Sequence, residues 1–120
     1  MTSQIYTITI DAADPRLLAN FWSKLLGYWV EFDSEEEVAI EAHDEAGPAV
    51  LFVKVPDTKR GKNRVHLDLN PDDQRAEVER ALTLGARAVD IGQDADPDAT
   101  WKVLADPEGN EFCILTPRKD

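Results

Sequence analysis

Apolar and polar positions alternate from Gln4 to Ile10, with Tyr6, Ile8 and Ile10 set against Ile5, Thr7 and Thr9. Period-two alternation rich in β-branched residues predicts a strand. The period then changes. Leu17, Leu18, Phe21, Trp22, Leu25 and Leu26 recur at helical spacing on one face. Asp14 suits the N-cap, and Pro15 suits the first helical position, where its missing N–H would be unpaired anyway. Gly27 supplies the stop. Short strands are expected at Tyr28 to Phe32, Val38 to Ala42 and Ala49 to Val55, joined by an acidic turn at Asp33 to Glu37 and a turn from His43 to Pro48.

The same order returns half a chain later. Arg64 to Leu69 reads as a strand, and Asn70-Pro71 or Asp73 as a helix cap. The helix that follows turns Ala76, Val78, Ala81 and Leu82 inward and Arg75, Glu77, Glu79 and Arg80 outward, and stops at Leu84-Gly85 as the first stops at Leu26-Gly27. Ala88 to Ile91, Thr100 to Ala105 and Glu111 to Thr116 supply strands, with a hairpin turn signal at Asp106-Pro107-Glu108-Gly109-Asn110. Pro56 to Asn63 is a linker by composition. The chain is therefore read as one domain over 1–120: a first β-α-β-β-β module over 1–56, a linker over 57–63 and a second module over 64–120. The basic linker admits an anion site, but a solvated loop is the commoner meaning of such a run.

Composition narrows the classes. A chain of 120 residues with 42% hydrophobic positions suits a globular domain. The net charge of -11, from 24 acidic and 13 basic residues, makes nucleic acid and anionic membrane surfaces poor partners. One cysteine cannot form an intrachain disulfide, which fits a reducing compartment. No signal peptide is visible at Met1 to Tyr6, and no apolar run approaches the ~20 residues that cross a bilayer, so a soluble, cytoplasmic protein is expected. No Gly-rich phosphate loop, dinucleotide fingerprint or nucleophile elbow occurs.

Three stretches carry a family resemblance: "DPRLLANFWSKLLGY" at 14–28, "NRVHLDL" at 63–69 and "ADPEGNEFCIL" at 105–115. With them the chain resembles the vicinal oxygen chelate superfamily, which includes glyoxalase I, the bleomycin-resistance proteins and the extradiol dioxygenases. Within it the likeness is to small glyoxalase-like domains of uncertain function. The resemblance implies an α+β fold in which two modules form cupped mixed sheets with helices on their outer faces. It also implies a small-molecule cavity inside the cup and a homodimer. Fold does not choose the chemistry.

Metal-dependent members take one His or Glu from the first strand and one carboxylate from the fourth strand of each module. On that pattern His66 matches the second module's histidine. Thr7 falls at the first module's equivalent and is a poor ligand, and Ala49 to Val55 contains no Asp, Glu or His. The last strand's carboxylate position falls on Cys113, with Glu111 two residues earlier on the same face. His66, Cys113 and Glu111 come from one module and do not make a two-module metal cup.

Each candidate also has a plainer role. His66 suits a hydrogen-bonded pocket residue. Asp68, on the same face, either orients it for proton transfer or is a solvated charge, and burial decides between them. Cys113 is read as a small buried hydrophobe unless His66 lies close enough to activate it. Phe21 and Trp22 belong to packing, and His43 to a surface turn. Trp101 is either core or a stacking wall for a flat ligand, with core preferred. The acidic run Gln93 to Asp98 is read as a solvated loop rather than a site for a cationic ligand.

The expectation is a small-molecule-binding protein or metal-independent enzyme, without a cofactor. Its pocket is built around Thr7, Thr9, His66, Asp68, Trp101 and Cys113, with His66, Asp68 and Cys113 as catalytic candidates. The alternative is a metal-dependent lyase or isomerase using a divalent transition metal on His66, Glu111 and Cys113. A purely structural module is the third class.

Overall fold

In the computed structural model, which describes residues 2–44, 47–89 and 100–118, the chain divides into two compact units, Met1–Thr58 and Lys59–Asp120. The first unit runs β1 (Thr7–Ala12), α1 (Pro15–Leu26), β2 (Trp29–Asp33), β3 (Glu37–Glu41) and β4 (Ala49–Lys54). The Asp14 carboxylate accepts the Leu17 N–H at 3.2 Å. Such a cap satisfies an orphan donor and is worth about 1 kcal/mol. At the other end Gly27 takes a left-handed backbone (φ 71°), which lets the Tyr28 N–H close on the Ser23 carbonyl at 2.9 Å. Leu18, Phe21, Trp22 and Leu25 are buried along one face of α1, which packs on β3 and β4. Those strands bury Val38, Ile40, Val50 and Phe52 in strict alternation. The rings of Phe21 and Trp22 meet edge to face.

The sheet order is β1-β4-β3-β2, with β1 parallel to β4 so that Thr7 faces Ala49 and Thr9 faces Leu51. The expected strand at Gln4 to Ile10 is displaced to Thr7–Ala12 because its partner β4 begins at Ala49, opposite Thr7. Ile5 and Tyr6 therefore stay exposed.

The second unit repeats the plan with β5 (Asp68–Leu69), α2 (Gln74–Leu84), β6 (Arg87–Ala88), β7 (Lys102–Ala105) and β8 (Glu111–Ile114). Its order is β5-β8-β7-β6, again with the first strand parallel to the last. The chain is thus α+β, two mixed four-stranded sheets with one helix in each unit. Asp73, rather than Asn70-Pro71, caps α2, accepting the Ala76 N–H at 3.0 Å.

The hairpin from β7 to β8 is pinned by Asp106, only 1% exposed. Its carboxylate accepts the backbone N–H groups of Glu108 (2.9 Å) and Asn110 (3.0 Å) and the Asn110 side-chain amide (2.9 Å).

Two expectations for this unit need correction. The strand read over Arg64 to Leu69 is reduced to Asp68–Leu69. β5 is an edge strand whose ladder to β8 starts only where the Cys113 N–H reaches the Leu67 carbonyl, so Val65 is 77% exposed. In α2 only Ala81 is buried; Ala76 and Leu82, read as inward, are exposed. Of the strand expected at Ala88 to Ile91, residues 90 and 91 lie outside the described residues, as does Gln93 to Asp98. Among the described residues no helix is long and apolar enough to cross a membrane.

Candidate functional site

The second unit holds a cavity of about 350 Å³ beside the pairing of β5 with β8. Parallel pairing puts Asp68 directly opposite Cys113. Side chains two apart on a strand share a face, so Glu111 joins Cys113 on β8, and His66, just ahead of β5, lies against Asp68. All four line the cavity, together with Trp101, Val103 and Leu115.

His66, Asp68 and Cys113 come together closely. His66 Nδ1 lies 3.1 Å from Asp68 Oδ1, and Cys113 Sγ lies 3.8 Å from His66 Nδ1. An ionised carboxylate can only accept, so Nδ1 is the donor in this contact. The pair stands at the mouth of the cavity, with side chains 47% and 49% exposed. Asp68 is thus both solvated and engaged with the imidazole. Cys113, by contrast, is buried. Burial pushes its thiol up, and the charge and hydrogen bond of Asp68 push the same way, to about 11, against a weaker pull from Lys62. At neutral pH it holds its proton, as a buried apolar residue would, despite the contact with His66.

Glu111 faces the same cavity but is engaged elsewhere. Its carboxylate accepts the Asn63 N–H at 3.2 Å and pairs with Lys59 Nζ at 3.2 Å. Burial alone would push this carboxyl up. Hydrogen bonds from its own backbone N–H, from Asn63 and from Lys59, with the Lys59 charge, hold it below the ordinary carboxylate value instead. The linker residues Lys62 and Asn63 therefore reach the cavity wall. Reading 57–63 as a solvated loop missed them; the signal was Glu111, a carboxylate on an inward face that needed a cation.

Trp101 is half-buried and lines the cavity, where the sequence favoured the core. Thr7 and Thr9 lie on β1 of the other unit, half-buried and exposed. His43 sits in an exposed turn.

The superfamily's metal chemistry can be tested against these donors. His66, Asp68 and Cys113 offer ligand atoms within 4.8 Å of one another. Yet those atoms are directed at each other in hydrogen bonds, and Glu111 is neutralised by Lys59. In the first unit the positions matching His66, Asp68, Glu111 and Cys113 are Thr7, Thr9, Ala49 and Leu51, by distance from the helix cap and by strand register. None is a good ligand for a divalent ion. The residues present do not fit a two-module metal centre.

A family model described as a glyoxalase-like domain matches residues 7–115. No curated protein matches the chain. Among solved structures, a glyoxalase/bleomycin resistance protein/dioxygenase family enzyme from Burkholderia phytofirmans PsJN is similar at TM-score 0.72 and 17% identity, over 97% of this chain and 100% of that one. A glyoxalase-related enzyme from Fulvimarina pelagi aligns at TM-score 0.70 and 18% identity, over 96% of this chain and 88% of that one. The bleomycin-binding protein of Streptomyces verticillus, complexed with copper(II)-bleomycin, aligns at 0.62 and 14%, over 98% and 99%. These identities speak to fold, and the fold, the duplicated module and the family match agree: the chain belongs to the glyoxalase-like domain family of the vicinal oxygen chelate superfamily.

Proposed function

We propose that this protein binds a small, flat, largely apolar molecule in the cavity of its second unit, without a metal ion. The observation that carries this is the wall itself. Trp101, Val103 and Leu115 offer an apolar surface beside one polar cluster, in which His66 Nδ1 lies against Asp68 and Cys113. A site of this kind gains its affinity from buried apolar area and an aromatic face, and its orientation from a few fixed polar groups. Neighbours of the same fold include enzymes and a bleomycin-binding protein, so the fold admits either use.

A second reading, metal-independent proton transfer, is favoured by one contact. With Asp68 holding Nδ1–H, the neutral His66 ring presents Nε2 as a base. Cys113, held protonated, takes no nucleophilic part in it.

The test is an amide NMR screen of small planar aromatics against the whole chain, with a chelator present. Binding should shift the signals of Val103, Cys113 and Leu115. A screen whose binders all shift amides elsewhere, or that yields none, would refute the pocket.

A further inference from the structure

We propose that Lys62 anchors an anionic group, so that the pocket takes a planar molecule carrying a carboxylate or similar oxyanion. This rests on the cavity being a ligand site, and goes beyond it by assigning the ligand's charge. Besides the protonated Cys113, four ionisable side chains line the cavity: Lys62, His66, Asp68 and Glu111. Three are engaged. Glu111 is held by Lys59 and by the Asn63 N–H, and Asp68 by His66. Lys62 has no hydrogen bond or ion pair among the described residues.

Its backbone, however, is fixed on both sides. Lys59 Nζ donates to the Gly61 carbonyl as well as to Glu111, and Asn63 is tied to Glu111 through its own N–H. The bend at Gly61 uses a left-handed backbone (φ 73°) with nothing within 4 Å of where a Cβ would stand. Glu111 thereby holds the strap from Lys59 to Asn63 against the cavity rim. A strap pinned on either side of an unpaired ammonium is pre-organised, so little backbone freedom is lost when an anion arrives. The half-buried Trp101 supplies the flat wall.

The experiment compares three isosteric probes on the full chain by amide NMR titration: 2-naphthoate, 2-naphthalenemethanol and 2-naphthylmethylammonium. The naphthoate should bind tightest, with shifts at Val103, Cys113 and Leu115. Lys62→Gln should weaken it about tenfold, the low end for a charge-assisted hydrogen bond at an exposed rim, and leave the alcohol unchanged. Lys62→Arg should restore naphthoate binding. If the three probes bind alike, if the ammonium binds best, or if Lys62→Gln leaves naphthoate affinity intact, the anion assignment falls and the pocket stands. If no probe moves those amides, the pocket falls with it.

Discussion

The two units share a strand order and a parallel closing pair, yet they divide the work of folding and of chemistry unequally. On α1 the residues Leu18, Phe21, Trp22 and Leu25 are all buried. At the matching distances from its cap, α2 carries Glu77, Arg80, Ala81 and Leu84, of which only Ala81 is buried. Arg80 and Glu77 form a bidentate ion pair instead, at 2.7 and 3.0 Å. Surface pairs of this spacing contribute a few tenths of a kcal/mol, against about 2–3 kcal/mol for a buried large apolar side chain. On the sheets the contrast is reversed. Thr7, Thr9, Ala49 and Leu51 offer almost no chemistry where His66, Asp68, Glu111 and Cys113 offer a great deal. Both sheets keep a buried face, Val38, Ile40, Val50 and Phe52 in the first unit and Leu104, Phe112 and Ile114 in the second, so it is the helices that differ in burial and the opposite sheet faces that differ in chemistry.

The sharpest way to break that contrast is at the helices. Trp22→Ala should destabilise the first unit by about 3–5 kcal/mol, the range for truncating a buried aromatic. Ala81→Gly, at the matching position, should cost the second about 1 kcal/mol. Hydrogen exchange at the amides of Ile40 and Phe52, beside those of Phe112 and Ile114, reads the two separately. Equal losses would mean that α2 contributes more core than its one buried residue suggests.

Next in size is ligand affinity. Trp101→Ala should weaken binding of a planar aromatic roughly tenfold, as loss of a stacking face does. Affinity unchanged in Trp101→Ala would mean that the indole forms no wall of the site.

How much of this was legible in the sequence follows the same division. The Asp14-Pro15 cap, the helical stripe and Gly27 together specify α1, because local signals and tertiary burial agree at Leu18, Phe21, Trp22 and Leu25, though Leu17 at the edge of the stripe is exposed. In α2 they disagree: spacing alone put Ala76 and Leu82 inward, but a weakly apolar face does not decide its own orientation. His66 and Cys113 stand out because strand alternation and the family pattern both point to them; Asp68 follows from alternation alone, and Trp101 reads as core. Lys62 and Asn63 do not stand out, because a linker has no period. Their placement depends on a pairing of Lys59 with Glu111 that spans the unit.

Cys113 offers a smaller, pH-dependent contrast with Leu51, its silent counterpart. Its thiol is pushed up to about 11 by burial and by Asp68. Alkylation by iodoacetamide should rise only as pH nears that value in the native protein, but near the ordinary thiol value of about 8.5 in urea. The linkage has a definite sign. Below about pH 8.5 both states hold the proton and stability is unaffected. From there towards 11 the unfolded chain releases it and the native chain keeps it, so stability falls as pH rises. Asp68→Asn should bring the native midpoint down. A native midpoint near 8.5 would mean that the thiol is neither buried nor opposed by the carboxylate.

The smallest expected effect is none at all, and it bears most directly on the comparison. A divalent ion needs several donors spread around a centre. The second unit offers three that bond one another, and the first offers hydroxyl and apolar groups at the matching places. Calorimetric titration with Zn²⁺ and Ni²⁺ should therefore show no stoichiometric binding, the same for wild type and His66→Ala, and a chelator should leave aromatic-ligand affinity intact. Metal binding at Cys113 would also have to displace a proton that burial and Asp68 hold more firmly than usual. Stoichiometric binding that vanishes in His66→Ala would mean that one unit's half-set suffices. The threonines of β1 would then mark a centre reduced in number rather than one given up.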